Sequence, residues 1–287
     1  MFETLRRHYY DQPHEVSIET LAHCNARCGF CPYGSLGREG ERLEDGVIER
    51  LIEEMSTWRM PFYIAPFKVN DPLLDPRMVD ICQDIERRIP QAKIRLFTNG
   101  SALTGYHRTW IANLKHLDEL WISLNSCEPV EYHRMMKLNY LQTARRLREL
   151  HDALEFPHRV TVSRVATGGE DGHGQLIPDA ADLQFVADVK RDWPRFHPFL
   201  IKRDGWLGAV QAGQTTIPKT PCARWFELSV TATGTVALCC MDGQNQFPIG
   251  SIHERTLMEI YNQPHLKKRR LYADTREGIE PCQRCTY

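Results

Sequence analysis

The 287-residue sequence lacks an excess of charge of either sign. Its 36 Lys and Arg residues nearly balance its 37 Asp and Glu residues, which leaves a formal net charge of −1. A chain this close to neutral gives no electrostatic reason to expect binding to nucleic acid or to an anionic membrane. With 42% hydrophobic and 25% charged residues, the composition is that of a globular protein with one large domain and room for a small second one.

Long hydrophobic runs are also missing. The apolar runs of the sequence are far shorter than the ~18 residues that a membrane-spanning helix requires. Residues 1–8 lack the apolar segment that a signal peptide contains. We therefore expect a cytoplasmic protein, in which thiols stay reduced. The ten cysteines are then expected to be metal ligands or reactive thiols rather than partners in disulfides.

The first group of cysteines is Cys24, Cys28 and Cys31, which follow a predicted strand with the spacing C-x3-C-x2-C. Thiolates this close on a loop can bind one small inorganic group, and iron–sulfur clusters use cysteine thiolates, normally four per cluster. Three ligands would leave one iron of a [4Fe–4S] cluster open to a substrate or cofactor. A zinc knuckle is the main alternative, although zinc usually takes paired C-x2-C ligands and a fourth ligand nearby. Buried thiols that bind no metal are the second alternative.

This loop resembles the C-x3-C-x-aromatic-C signature of the radical SAM family, with Phe30 as the aromatic residue. The resemblance implies S-adenosylmethionine at the open iron and an external one-electron reductant such as flavodoxin or ferredoxin. It further implies that a 5′-deoxyadenosyl radical takes a hydrogen atom from the substrate, which is chemistry that the cofactors carry.

Hydrophobic periodicity predicts six strands, each except the last followed by a helix. The predicted strands cover residues 16–22, 62–68, 94–98, 119–124, 159–165 and 197–202. The predicted helices cover residues 43–56, 75–88, 106–114, 131–153 and 179–190. This alternation predicts an α/β fold with parallel strands and right-handed crossovers. Six strands are fewer than the eight of a closed barrel, and the resemblance implies a partial (β/α)6 TIM-like barrel with an open side.

The family usually holds the methionine part of its cofactor with a Gly-Gly-Glu-Pro segment after the second strand. Here residues 68–72 read Lys-Val-Asn-Asp-Pro, which departs from that pattern. Asn70 can still offer a carbonyl oxygen and Asp71 a carboxylate. The missing glycines suggest that Lys68 or Val69 points at a specific partner.

Three further cofactor-binding residues are implied by the resemblance. Ser123 and Asn125 resemble the residues after the fourth strand that reach the ribose of the cofactor. Arg164 is placed to pair with the carboxylate of the cofactor, a task that suits the two-pronged guanidinium group.

The second group of cysteines lies in the last quarter of the sequence. Two β-branched runs flank Thr233 and Gly234 and predict a hairpin, and a helix is predicted over residues 257–271. Cysteines flank the hairpin and also form a C-x2-C pair: Cys222, Cys239, Cys240, Cys282 and Cys285. Four such thiolates would fully ligate a second cluster, and zinc is the alternative.

This region resembles the auxiliary-cluster domain of the SPASM and Twitch radical SAM enzymes. Because Gly234 lies five residues before Cys239, the resemblance implies that Cys239 is the ligand and Cys240 an additional thiol. One auxiliary cluster and the shorter Twitch form are implied, which gives two [4Fe–4S] clusters in all. The expected division is a partial barrel over residues 1–205 and a small α+β iron–sulfur domain over residues 206–287.

A fully ligated second cluster favours two reactions. The substrate radical can lose a proton and pass an electron to that cluster, which gives a ketone, or a thiol can return a hydrogen atom to the opposite face, which inverts the carbon. Cys240 and Cys127 are the candidate thiols, although a free cysteine is often a small buried hydrophobic residue. Cys82, in the middle of a predicted helix, is interpreted as a core residue.

The size of the chain and its single auxiliary cluster resemble the aminocyclitol dehydrogenase and aminoglycoside epimerase members of the family, which act in antibiotic biosynthesis. They imply a carbohydrate-like substrate, whose amines or hydroxyls acidic loop residues such as Glu128, Glu170, Asp171 and Asp204 could bind. Modification of a ribosomally made peptide is the alternative reaction. A non-catalytic, metal-stabilised binding module is the alternative outside enzymes.

Overall fold

The computed structural model of the protein describes residues 1–153, 156–171, 173–213 and 216–287. Its strands in chain order are β1 Glu15–Ile18, β2 Phe62–Ala65, β3 Ala92–Thr98, β4 Leu117–Ser123, β5 Arg159–Val165, β6 Gly169–Glu170, β7 Leu176–Ile177, β8 His197–Ile201, β9 Glu227–Val230, β10 Thr235–Ala237 and β11 Pro248–Ser251. Its helices are α1 Phe2–His8, α2 Asp45–Ser56, α3 Met78–Arg88, α4 Gly105–Ala112, α5 Pro129–Met136, α6 Tyr140–Asp152, α7 Ala180–Asp192, α8 Leu257–Tyr261 and α9 Pro264–Tyr272.

One sheet runs through the molecule in the order β11-β10-β9-β1-β2-β3-β4-β5-β8. The six predicted strands are β1 to β5 and β8, and each pairs in parallel with the next. A helix follows each of the first five, as the alternation predicts. The predicted fold class, a partial (β/α)6 barrel with a small C-terminal α+β domain, is confirmed. In the described ranges, no helix has both the length and the apolar character needed to cross a bilayer.

Alternate residues of each strand face the helices or the barrel interior, because successive side chains of a strand point to opposite faces. On β3 and β4, Leu96 and Leu120 are fully buried in the core shared with the helices. Phe97 and Trp121 lie on the opposite faces and are only half-buried. The barrel interior therefore has aromatic walls that the helices do not cover.

In two places the sequence predicts one continuous helix where the structure has two, so these predictions were wrong. The predicted helix over 131–153 is two helices, because Lys137 takes a left-handed φ of 59° that ends α5. The side chain of Asn139 then accepts a hydrogen bond from the Gln142 N–H at 3.1 Å and caps the start of α6. The predicted helix over 257–271 is also two helices, since Pro264 begins α9 and cannot continue the preceding helix.

The C-terminal hairpin continues the barrel sheet, because β9 pairs in parallel with β1 and antiparallel with β10. Helix α1, which the sequence pattern does not predict, packs on this segment. The Phe2 ring lies 6.0 Å from the Trp225 ring and 5.3 Å from the Phe226 ring. The first residues of the chain thus contact the C-terminal part, and the division at residues 205 and 206 stays a prediction.

We expect the Lys137→Gly variant to be more stable than the parent protein by about 0.5–1 kcal/mol. A side chain other than glycine pays a steric cost in the left-handed region, and glycine does not. Urea unfolding followed by circular dichroism measures the change. The matched control is Arg148→Gly at an exposed position inside α6, which should lose about 1 kcal/mol. An equal loss in both variants would contradict the role given to Lys137.

Candidate cluster and cofactor sites

The N-terminal cysteine loop follows β1, and its three thiols lie near one another. Cys24, Cys28 and Cys31 are half-buried free thiols. Burial is the main reason that the pKa of Cys24 rises to about 12 and that of Cys31 to about 11. Burial, and then charge on the other two thiols, raises the pKa of Cys28 as well. Such thiols keep their protons near neutral pH until a metal replaces them.

Two N–H groups point at the Cys24 sulfur. The Ala26 backbone nitrogen lies 3.4 Å from Sγ, and Nδ2 of Asn99 lies 3.8 Å from it. Asn99 follows β3, and its amide also donates to Oδ1 of Asn25 at 2.8 Å. Hydrogen bonds to the sulfurs help to set the reduction potential of an iron–sulfur cluster. These donors suit a negatively charged thiolate cluster better than an apolar core.

The predicted cofactor residue Asp71 is buried and ties the loop after β2 to the end of β3. Its carboxylate accepts hydrogen bonds from the Thr98 hydroxyl at 2.9 Å, the Asn99 N–H at 2.9 Å and the Leu73 N–H at 3.1 Å. Burial raises the pKa of this carboxyl, and the hydrogen bonds oppose the rise. The structure thus shows Asp71 bound to protein groups, and its contact with a cofactor stays a prediction.

Asn70, the residue before Asp71 in the same loop, has a side-chain N–H donor that bonds to no described residue. Its Oδ1 accepts from the Lys68 backbone N–H at 2.9 Å. Its Nδ2 is buried and has no hydrogen-bond partner among the described residues. An unsatisfied buried donor costs about 1–3 kcal/mol. An acceptor from a bound cofactor would satisfy it, which is an observation that favours a cofactor site here.

The structure places Ser123, Asn125 and Arg164 near the ends of β4 and β5. Oδ1 of Asn125 accepts a hydrogen bond from a backbone N–H of β5 at 2.8 Å. Arg164 is buried and bonds to Oδ1 of Asp182 at 2.8 Å and to Oε1 of Glu131 at 3.1 Å. Its charge is therefore already balanced by two carboxylates. The cofactor contacts predicted for these three residues stay predictions.

The C-terminal segment packs directly on the N-terminal cysteine loop. Nε1 of Trp206 donates to the carbonyl oxygen of Phe30 at 3.1 Å. A Cβ atom on Gly243 would lie 2.6 Å from Cγ of Pro32 and 3.1 Å from the Trp206 ring, so only glycine allows this approach. The cofactor contact predicted for Phe30 itself stays a prediction.

The second group of cysteines surrounds one cavity. Its lining includes Cys222, Cys239, Cys282 and Cys285, together with apolar side chains and two arginines, Leu207, Arg224, Trp225, Leu238, Met241, Arg276 and Tyr287. All ten cysteines lie within the described ranges and are free thiols. Across those ranges, no three His, Cys, Asp or Glu side chains are close enough to ligate a single metal ion. The four thiols instead face a shared space between them.

Cys240 has different surroundings from its neighbour Cys239. It is not among the residues that line the cavity. Burial raises the pKa of Cys240 to about 12, and the charged groups that act on it include Arg224, Glu227 and Lys68. Glu227 and Leu228 are successive residues of β9 and so point to opposite faces of the sheet. Leu228 belongs to the core, and Glu227 faces away from it. Cys240 is therefore set apart from Cys239, which lines the cavity.

Cys127 lies elsewhere, toward the helices. The carboxylates of Asp188 and Asp192 on α7 are the charges that raise its pKa most after burial, to about 12. The charged groups that act on Cys240 lie on other elements, and the role of Cys127 as a hydrogen donor stays a prediction. Cys82 is fully buried in α3, and its interpretation as a core residue is confirmed.

A model of the radical SAM superfamily matches residues 18–172, which is more than half of the chain. The chain belongs to the radical SAM superfamily. A model of the SPASM iron–sulfur cluster-binding domain matches residues 222–286. Together they confirm the resemblance found in the two cysteine regions. No curated protein sequence matches the chain.

Solved structures of radical SAM enzymes share the fold. BtrN in complex with AdoMet and 2-DOIA is 17% identical, with a TM-score of 0.62 over 90% of this chain and 85% of that one. SuiB of Streptococcus suis bound to the precursor peptide SuiA is 12% identical, with a TM-score of 0.67 over 99% and 72%. The enzyme anSMEcpe with bound AdoMet is 12% identical, with a TM-score of 0.57 over 88% and 81%.

This radical SAM chain uses S-adenosylmethionine and a [4Fe–4S] cluster, and its SPASM domain is an auxiliary iron–sulfur domain. The described residues fit these groups. Cys24, Cys28 and Cys31 would hold the first cluster beside the unsatisfied amide of Asn70. The four thiols that line the cavity would hold the auxiliary cluster.

Sequence reasoning missed several residues of these radical SAM sites. Arg224 and Arg276 line the cavity and bring positive charge to four thiolates. Trp206 bonds to the N-terminal cysteine loop, and no sequence pattern signals it or either arginine. Asn99, which donates toward the Cys24 sulfur, was not missed, because it follows a predicted strand at the carboxyl end where the chemistry of barrel enzymes lies.

Anaerobic reconstitution should give about eight irons per chain, four for each [4Fe–4S] cluster. The Cys239→Ala variant should lose about half of this iron, because it removes a thiol that lines the cavity. Its matched control is Cys240→Ala, which should keep about eight irons. Iron analysis and electron paramagnetic resonance measure the outcome. Equal iron loss in the two variants would contradict the assignment of Cys239 as the ligand.

Proposed function

We propose that this radical SAM enzyme acts on a carbon of a sugar, an aminoglycoside or a cyclitol. The bound cofactors supply a 5′-deoxyadenosyl radical that takes a hydrogen atom from that carbon. Cys240 then returns its S–H hydrogen atom to the opposite face, which inverts the carbon and leaves a sulfur radical. An external one-electron reductant such as flavodoxin or ferredoxin supplies the electron that, with a proton, restores the thiol. In the competing outcome the substrate radical would lose the proton of its hydroxyl group and pass an electron to the auxiliary cluster, which gives a ketone.

The position of Cys240 is the observation that carries the choice of epimerisation. Its sulfur is separate from the four thiols that line the cavity, so it stays free for chemistry when they bind a cluster. Arg224, Glu227, Lys68 and Glu15 are the groups whose charge acts on it, and Arg224 also lines the cavity. A free thiol next to a proposed cluster ligand supports a hydrogen donor at this position.

A row of aromatic rings supports a ring-shaped substrate. Phe67 stacks on Phe97 with 5.2 Å between ring centroids, Phe97 lies 5.9 Å from Trp121, and Trp121 lies 5.2 Å from Phe199. Phe199 is 45% exposed, and the other three are half-buried. The negative faces of such rings attract polarised C–H groups, and binding pockets combine apolar walls with a few polar groups. The C–H face of a sugar or cyclitol ring suits this wall.

Asp204 supports an amine on the substrate. Of the four acidic residues considered from the sequence, Glu128 caps α5, Asp171 accepts from its own loop, and Glu170 pairs with Lys202 at 3.5 Å. Oδ1 of Asp204, just after β8, is buried and has no hydrogen-bond partner within the described ranges, although the charges of Arg224, Lys202 and Arg276 act on this carboxyl. A substrate ammonium group would satisfy it.

Modification of a ribosomally made peptide is the second candidate. SuiB bound to its precursor peptide covers 99% of this chain at a TM-score of 0.67, and the aromatic row could also receive an apolar side chain. The unpartnered oxygen of Asp204 and the free thiol of Cys240 favour the carbohydrate-like substrate.

The proposed donor is tested with Cys240→Ala. We expect this variant to release 5′-deoxyadenosine from S-adenosylmethionine in the presence of an aminocyclitol or aminoglycoside substrate, but to give at least about 100-fold less inverted product, since a missing catalytic group commonly costs about 10²–10⁴ in rate. The parent protein in heavy water should place one deuterium on the inverted carbon. Mass spectrometry and proton NMR measure both results.

Cys127→Ala is the matched control, because the charges that act on its thiol include Asp188 and Asp192 of α7 rather than the groups that act on Cys240. It should give the same inverted product as the parent protein. An unchanged yield of inverted product from Cys240→Ala would refute Cys240 as the donor. A ketone in place of the inverted product would favour dehydrogenation, and a modified peptide with no cyclitol product would favour the second candidate.

Binding of an aminocyclitol should strengthen as the pH rises through about 6. Burial raises the pKa of the Asp204 carboxyl to about 6, so the carboxylate that pairs with an ammonium group forms only above that pH. Between pH 5 and pH 7 its ionised fraction grows about tenfold, and the dissociation constant should fall by a similar factor. Isothermal titration calorimetry measures this change.

Two controls isolate this effect. Asp204→Asn should remove most of the pH dependence, and the matching cyclitol without an amine should show little in the parent protein. An equally steep dependence in Asp204→Asn would assign the titration to another group.

A further inference from the structure

Lys68 joins the predicted cofactor loop to the auxiliary domain. Its side chain is almost completely buried, with 1% exposed. Nζ donates to the Ser229 hydroxyl at 2.9 Å and to the Cys239 carbonyl oxygen at 3.2 Å. Ser229 belongs to β9, and Cys239 is the proposed cluster ligand. One buried ammonium group therefore links the loop after β2 to the backbone of a ligand 171 residues away in sequence.

The backbone of the same residue orients the free amide of the cofactor loop. The Lys68 N–H donates to Oδ1 of Asn70 at 2.9 Å, which fixes the side-chain plane and leaves Nδ2 as the open donor. Lys68 thus contacts Asn70 through its backbone and the Cys239 carbonyl oxygen through its side chain.

A second buried charge crosses the same junction. Glu19 is fully buried, and its carboxylate accepts from the Val69 N–H at 3.4 Å and from the Ala232 N–H at 3.1 Å. Arg38 balances its charge, with Nε 2.5 Å from Oε2, and donates to the Gly243 carbonyl oxygen at 2.9 Å. Because buried charges are costly unless they are paired and hydrogen-bonded, this junction has one well-defined arrangement when both sides are in place.

We propose that Lys68 is a positioning residue that couples the binding of S-adenosylmethionine to the occupancy of the auxiliary cluster. This inference rests on the cofactor and ligand roles of Asn70 and Cys239 in the proposed function. A loaded auxiliary cluster fixes the Cys239 carbonyl, which holds Lys68 and hence the amide of Asn70 in the orientation that receives the cofactor. By linkage, S-adenosylmethionine then favours the loaded auxiliary site by the same factor.

The test is a double-mutant cycle with Lys68→Met and Cys282→Ala, the second of which empties the auxiliary site. The readout is the dissociation constant of S-adenosylmethionine, measured by equilibrium dialysis without reductant or substrate. With Lys68 present, Cys282→Ala should weaken binding by about fivefold or more, a typical coupling between sites. In the Lys68→Met background the same change should have little effect. Equal effects of Cys282→Ala in both backgrounds, or none in either, would overturn the proposal.

Two further variants keep the test decisive. Ser229→Ala removes one partner of Nζ and leaves the lysine in place, so the cluster-loaded variant should bind S-adenosylmethionine more weakly than the parent; unchanged binding contradicts the coupling. Lys93→Met is the matched control, because Lys93 is an exposed lysine on β3 whose Nζ lies 3.5 Å from Asp118. It should leave the whole cycle unchanged.

These measurements are independent of the substrate. If the enzyme acts on a peptide or forms a ketone, the binding cycle keeps its expected outcome. If S-adenosylmethionine binds but the cycle shows no coupling, the role of Lys68 fails and the proposed reaction stands.

Discussion

The parallel pairing of β1 with β9 is the interaction on which the arrangement of the two cysteine groups depends. Its register sets Ser17 opposite Ser229 and Ile18 opposite Val230. The carboxyl ends of parallel strands meet at one edge of a sheet, so the loop that carries Cys24 lies beside the turn that follows β9. Strand β10 then pairs with β9 and leads to Cys239. A single backbone ladder thus holds both groups in one rigid frame.

The two proposed cluster sites have different electrostatic surroundings. Next to Cys24 lie N–H donors, and the Asp71 carboxylate is close enough to raise the pKa of that thiol. The cavity of the second site has Arg224 and Arg276 in its lining. The charged groups around the two proposed cluster sites therefore differ.

The sequence predicts what depends on local pattern. Three features can be predicted because each depends on residues near one another in the chain. They are the β-branched strands, the cysteine spacings and the hairpin at Gly234. The break at Lys137 was missed because lysine rarely takes a left-handed conformation. The partners of Lys68 and Arg164 could not be predicted, since Ser229 lies 161 residues from Lys68 and Asp182 reaches Arg164 only through the packing of α7 on β5.

The contact between β1 and β9 has a consequence for how the protein is made. Glu19 and Ala232, which bond at this junction, are 213 residues apart. While the ribosome synthesises the intervening chain, the outer edge of β1 has no neighbour, and an unpaired edge can join another nascent chain. This edge of β1 is therefore covered only once β9 has been synthesised, and a chain that ends before β9 keeps the edge open to pairing with other chains.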